Sequence, residues 1–371
     1  MWTAGLLVAT VLPEYLVASL AVAMREDFAF GNTEIALAVG ISFAVMAVIS
    51  PLARRAIDRI GMRRGVALAI GLVALSSLAI GGLARSAEAV IALMVVNGIG
   101  GGIGSPTFSA LLARSVGEDV QGTAFGVLTS APQMSAFAGG LALPLIAVPL
   151  DWRLAFALPA ALVLACWIAL SRSGRLDVAP APVVREERHR GLRSIHAIAV
   201  ATALASAGGI GMRSFLVVAA VSAGVQRGAA GLLLSATGLI AIGSRLGFGV
   251  LGDRRPGDSL RRAAGLMLLC AGGYALMALD TTLLLVAGAL IAGGIGWGWQ
   301  APLSLAVVSR NREATAHAVG IQLSGFYVGA LAGPLLVAFA VSQSGYPAAW
   351  LLCALLAVGA GSIALAVGRA R

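Results

Sequence analysis

Three ionisable side chains lie inside long apolar runs: Glu14, Arg213 and Arg245. A charge near the centre of a bilayer costs roughly 2.5–3.5 kcal/mol on insertion scales, so each needs a reason to be there. A carboxylate at that depth either takes up a proton or finds a cation. A guanidinium cannot shed its charge and must be paired or hydrated. Uncharged polar groups share these runs: Asn97, Gln133, Gln300, Gln322 and Tyr327, with Trp297 and Trp299 flanking the Gln300 position and Pro132 beside Gln133. A few placed polar groups in an apolar pocket are what small-molecule recognition requires, although each amide alone could equally bond a neighbouring helix. Other chemistry is poorly provided for. Cys166, Cys270 and Cys353 sit singly in apolar runs, and two of the three histidines, His189 and His196, lie in or beside a charged stretch. Neither a metal-ligand spacing nor a disulfide framework is visible. A chain with no lysine has no phosphate loop for a nucleotide, and no cofactor or metal is expected.

Only helices in lipid can hold such groups. Of 371 residues, 59% are apolar and 11% charged, where a soluble domain carries about 25% charged residues. With a mean hydropathy of +0.94, these figures exclude a soluble globule, a disordered chain and a disulfide scaffold. A spanning helix needs about 20 apolar residues. Windows of that length fall at 2–24, 34–53, 65–84, 88–112, 121–148, 152–171, 195–222, 229–250, 262–279, 282–308, 315–342 and 347–368. The first has no basic segment before it and is read as a span, not a removable signal. The charged, proline-containing stretch 172–194 reads as a cytoplasmic linker between two sets of six, 1–171 and 195–371.

All 26 basic residues are arginine. Twenty lie in the gaps after even-numbered spans or in the carboxyl tail, and four (Arg25, Arg85, Arg153, Arg227) in the opposite gaps. That bias predicts cytoplasmic termini in a protein integral to the cell membrane. It is not the footprint of a nucleic-acid groove, despite the net charge of +10. Within this frame Glu14 is roughly 15–18 Å from either surface, at the middle of its span. Arg213 is about 13 Å from the outer end of the seventh span, and Arg245 is shallow enough to snorkel.

The chain also repeats. Asp58-Arg59-Ile60-Gly61-Met62-Arg63-Arg64 follows the second span and Gly249-Val250-Leu251-Gly252-Asp253-Arg254-Arg255 the eighth, with Asp58 and Asp253 195 residues apart. Pro106 and Pro302 are 196 apart, each after a glycine-rich run, as are Arg114 and Arg310; Gly139 and Gly333 are 194 apart. Gly325, Gly329 and Gly333 share one helix face, suited to close approach in lipid. A carboxylate among arginines at helix ends can form an ion-pair latch present in only one of two packings, or simply anchor a tight turn.

These residues resemble the major facilitator superfamily, whose loop between the second and third helices carries Gly-x-x-x-Asp-Arg-x-Gly-x-Arg-Arg. Asp58, Arg59, Gly61, Arg63 and Arg64 match it, while Arg54 replaces the glycine. The resemblance implies an all-α membrane protein of twelve transmembrane helices, built as two pseudo-symmetric six-helix bundles around a midplane site. It casts Asp58, Arg59, Arg63, Asp253 and Arg254 as a conformational latch and Glu14 as a proton carrier. It makes Arg213, Arg245, Asn97, Gln133, Gln300, Gln322, Tyr327 and Trp297 substrate-binding candidates. Because the first and seventh helices flank the family's cavity, Glu14 could pair directly with Arg213, or Arg213 could hold an anion while Glu14 manages a proton. Arg245, eight residues before Asp253, is similar to an arginine of monocarboxylate and oxalate-type facilitators.

Met94 stands where many proton-driven members have an arginine, and only Gly139-Gly140 remains of the drug-antiporter signature. Both absences count against proton-driven drug efflux; because two of the three charged groups at depth are cationic, the expected function is secondary transport of a small organic anion, with protons as a second partner and the protein acting as a monomer. A proton-coupled multidrug or neutral-metabolite exporter is the second reading. A polytopic membrane enzyme is a remote third, because no acid–base cluster is visible.

Overall fold

The computed structural model describes residues 2–115, 130–172, 193–254, 259–279, 281–311 and 315–369, and these contain helices and no strand. The first four helices are α1 (Trp2–Asp27), α2 (Asn32–Ile60), α3 (Met62–Leu83) and α4 (Ala87–Ser115). Then come α5 (Ala131–Ala142), which widens into a π-turn at Leu143–Ala147, the short α6 (Trp152–Ala155) and α7 (Ala157–Arg172). Beyond the linker lie α8 (Arg193–Ser222), α9 (Arg227–Arg254) and α10 (Ser259–Met277). The chain ends with α11 (Thr282–Ala289), α12 (Gln300–Arg310) and α13 (Thr315–Arg369). Gly61 takes φ +86° and closes α2 through its N–H to Ile57 O (2.9 Å), so α3 begins at the next residue. Gly345, at φ +78°, breaks α13 into two lengths just before Pro347.

Among the described residues nine helical segments are long and apolar enough to cross a membrane. The window expected at 121–148 is described only from residue 130, as the shorter apolar segment Ala131–Ala147. Burial is inverted relative to a soluble protein. Leu83 and Leu283 are 76% and 77% exposed, whereas Glu14 and Arg213 are 2% and 1% exposed. Apolar outer faces suit a lipid solvent, and the charged groups are sequestered within the protein.

Two compact units divide the chain: Met1–Pro182 with Gln226–Ser235, and Val183–Val225 with Ala236–Arg371. In the first, α1 packs against α4, α5 and α7, and α4 lies between α2 and α3. Glycines set that spacing. A Cβ on Gly98 would come 2.7 Å from Ser42 O, one on Gly102 2.7 Å from Ile49 Cβ, and one on Gly100 2.9 Å from Val73 Cγ2. The opening turns of α9 cluster with this unit, where Ser235 Oγ donates to Phe137 O (2.9 Å) and Arg227 pairs with Glu26. In the second unit, Gly325, Gly329 and Gly333 of α13 rest on the carbonyl oxygens of Ala199, Ala203 and Ala207 of α8. No other residue has room at those three contacts.

Candidate functional site

Glu14 in the first unit and Arg213 in the second are the most deeply buried charges among the described residues, and each is held by hydrogen bonds within its own unit. In the first, Ser42 Oγ donates to Glu14 Oε1 at 2.6 Å and Asn97 Nδ2 donates to the same oxygen at 3.1 Å. Asn97 Nδ2 also reaches Thr10 O (3.3 Å), and Ser76 Oγ donates to Asn97 Oδ1 (3.4 Å). Helices α1, α2, α3 and α4 thus all contribute to the network. Pro13, which carries no N–H, interrupts the α1 ladder beside it. Among the described residues Glu14 Oε2 has no partner, nor have the fully buried amide of Gln133 and the hydroxyl of Tyr15.

In the second unit, Arg213 of α8 donates from Nη2 to Gly293 O, and its guanidinium lies over the ring of Trp297, 4.9 Å from the centroid. Its Nε and Nη1 have no partner, and no carboxylate pairs with it among the described residues. Gly209, one turn before Arg213, has no Cβ because the Trp297 ring occupies that space. Trp297 meets Trp299 edge to face at 5.6 Å.

The receptive carbonyl exists because the helix is irregular here. Between α11 and α12 the backbone widens to a π-helix at Leu290–Ile295, then tightens to a 3₁₀ turn at Gly296–Trp299. Such stretches spoil the i→i−4 ladder and free carbonyls. Three of these oxygens accept from three neighbouring helices: Ala292 O from Cys270 Sγ (3.4 Å), Gly293 O from Arg213 and Ile295 O from Ser244 Oγ (2.7 Å).

The internal repeat gives this a further meaning. Asn97 and Gly293 are 196 residues apart, the same offset as Pro106 and Pro302. At equivalent positions one half supplies a side-chain N–H to an acid, and the other a backbone oxygen to a base. Glu14 and Arg213 each find these partners within their own unit.

The remaining expected residues divide into pairs. Arg245, buried, donates to Gln300 Oε1, and Gln322 Nε2 lies 3.5 Å from Ser304 Oγ. Tyr327 is half-buried, with Phe326 edge-on at 6.0 Å. Arg59 and Arg63 are exposed near the α2–α3 turn. The side chains of Asp58, Asp253 and Arg254, expected in the latch, lie outside the described residues, as does most of the linker. The three cysteines are free and buried. Ser42, Ser76 and Thr10 escaped notice because small hydroxyls are common in apolar helices. Tyr274, buried with its hydroxyl unpartnered, likewise carries no sequence signature.

Comparison with known proteins gives these features a family. The profile described as Major Facilitator Superfamily matches residues 3–321. No curated protein matches the sequence. Among solved structures, one similar fold is that of a bacterial homologue of the human lysosomal transporter Spinster, in an inward-facing and unoccupied conformation. It has a TM-score of 0.78 at 15% identity over 99% of this chain and 96% of that one. The chain belongs to the major facilitator superfamily and is a secondary transporter integral to a membrane.

Proposed function

We propose that this transporter moves a small organic anion together with a proton by alternating access. The observation that carries the reading is Arg213, a cation 1% exposed, stacked on Trp297, bonded only through Nη2, with no carboxylate among its described partners. A buried guanidinium in that state lacks its counter-charge, and an anionic cargo supplies one. Arg245, Gln300, Gln322 and Tyr327 in the second unit, and Asn97 and Gln133 in the first, are the further polar groups this reading assigns to cargo. Glu14 serves the proton. Its Oε1 is held by two donors while Oε2 stays open, an arrangement that suits a group alternating between acid and carboxylate.

Charge balance then couples the two. With the anion on Arg213 and a proton on Glu14 these two sites carry no net charge; with both gone, Arg213 and ionised Glu14 again sum to zero. Either mixed state leaves one uncompensated charge in lipid, which is costly. The arginine bias supports a cell-membrane location with cytoplasmic termini, and the Asp58 and Asp253 loops are the proposed latch.

The test is uptake of labelled monocarboxylates by proteoliposomes with and without a pH gradient. The wild type accumulates the anion when the outside is acidic, Arg213→Gln does not, and Glu14→Gln exchanges anion without responding to the gradient. Uptake of cationic drugs or neutral solutes, unaffected by Arg213→Gln, would favour the exporter reading and end this one.

A further inference from the structure

The Asn97 carbonyl competes for its hydrogen. Ser76 Oγ has one hydrogen to give, and two oxygens lie within its reach, Val73 O at 3.0 Å and Asn97 Oδ1 at 3.4 Å. The backbone oxygen is the nearer, so Asn97 Oδ1 is the weaker partner. The two ends of an amide have the same shape, and half a turn about the last bond exchanges them. After that turn Nδ2 donates to Ser76 Oγ while Ser76 keeps its bond to Val73 O, so both bonds are made. On the other side, Asn97 Oδ1 then stands where Nδ2 was, 3.1 Å from Glu14 Oε1 and 3.3 Å from Thr10 O. Ser42 Oγ is 2.6 Å from the same carboxylate oxygen, and Glu14 Oε2 has no partner among the described residues. Thr10 and Glu14, four residues apart, share one face of α1. Thr10, Glu14, Ser42, Ser76 and Asn97 are all buried.

Carboxylate, amide and peptide oxygens this close repel one another unless a cation lies between them, and such oxygen sets suit hard ions. We infer that Glu14, Asn97, Thr10 and Ser42 form a Na⁺ site, opened by a half-turn of the Asn97 amide. The amide hydrogens leave with the turn, and the ion takes their place between the oxygens. Charge selects a monovalent ion. One carboxylate balances Na⁺ and leaves no net charge at the site, whereas Ca²⁺ or Mg²⁺ would leave one positive charge in the apolar interior. Spacing selects a small ion, because K⁺ needs oxygens set further apart. The inference goes beyond the proton reading of Glu14 and does not depend on Arg213. Na⁺ and a proton compete for one carboxylate, and either brings one positive charge.

The full-length protein in detergent is melted across NaCl concentrations at constant ionic strength, with choline chloride as the balance and KCl as the control. A ligand of the folded state raises the melting temperature, so Na⁺ should do so while K⁺ matches choline. Where the proton fills the site, the Na⁺ concentration giving half the shift should rise about 10-fold for each unit of falling pH. Glu14→Gln should abolish the Na⁺ shift. Ser76→Ala, which removes the acceptor for the turned amide, should need several-fold more Na⁺ for the same shift. A Na⁺ shift no larger than that of K⁺ or choline overturns the inference. So does one that survives Glu14→Gln, ignores pH, or is unchanged in Ser76→Ala. The proton reading is judged separately, in sodium-free proteoliposomes, where anion uptake that ignores an imposed proton gradient ends it whatever Na⁺ does to the melting temperature.

Discussion

Glu14 and Asn97 show how a buried charge is tolerated. Asn97 spends one amide nitrogen on Glu14 Oε1 and on Thr10 O, so a single side chain ties the acid of α1 to α4. Asn97→Ala leaves Ser42 as the one side-chain donor to Glu14 among the described residues. We expect a loss of about 1–3 kcal/mol of stability, read as a lower melting temperature in detergent, with Glu14→Gln partly restoring it by removing the charge. An unchanged melting temperature would show that the network contributes little. The charges themselves were legible, because Glu14 and Arg213 stand out against apolar neighbours. Their partners were not. Ser42 is 28 residues from Glu14 and looks like any serine in a span, and the partner of Arg213 is a backbone oxygen, which has no letter in the sequence.

Helices meet through glycine, and the consequences differ from site to site. Gly329 sits on Ala203 O and Ser206 Oγ, whereas Gly265 of α10 has nothing within 4 Å of its missing Cβ. Gly329→Val must push α13 off α8 and should cost roughly 1–3 kcal/mol or more. Gly265→Ala should be neutral or stabilising by up to about 1 kcal/mol, since it only restores helix propensity. Equal melting temperatures for the two variants would deny that the α8–α13 contact depends on small residues. The four-residue glycine spacing predicted that face, because helical period alone fixes which residues share it. The π-helix and 3₁₀ turn at 290–299 had no such rule. The run GGIGWGW signals weak local preference, and only packing against α8, α9 and α10 decides how the backbone resolves it.

At the scale of the whole molecule, hydropathy carried most of what could be read early. Lipid allows only helices and closed barrels, and apolar runs of about 20 residues select helices. Two of the four arginines in the gaps after odd-numbered spans are paired in place, Arg153 with Asp27 and Arg227 with Glu26. The proposed cargo was harder to read, because that reading rests on what Arg213 lacks among the described residues, which no sequence displays. On the proposed reading one proton moves with each monovalent anion, so the transport cycle is electroneutral. The direct measurement is anion uptake into proteoliposomes under imposed gradients, with the membrane potential set by potassium and valinomycin. Uptake should follow the proton gradient and ignore the potential. Uptake that tracks the potential at constant pH, or that ignores the proton gradient, would contradict the account.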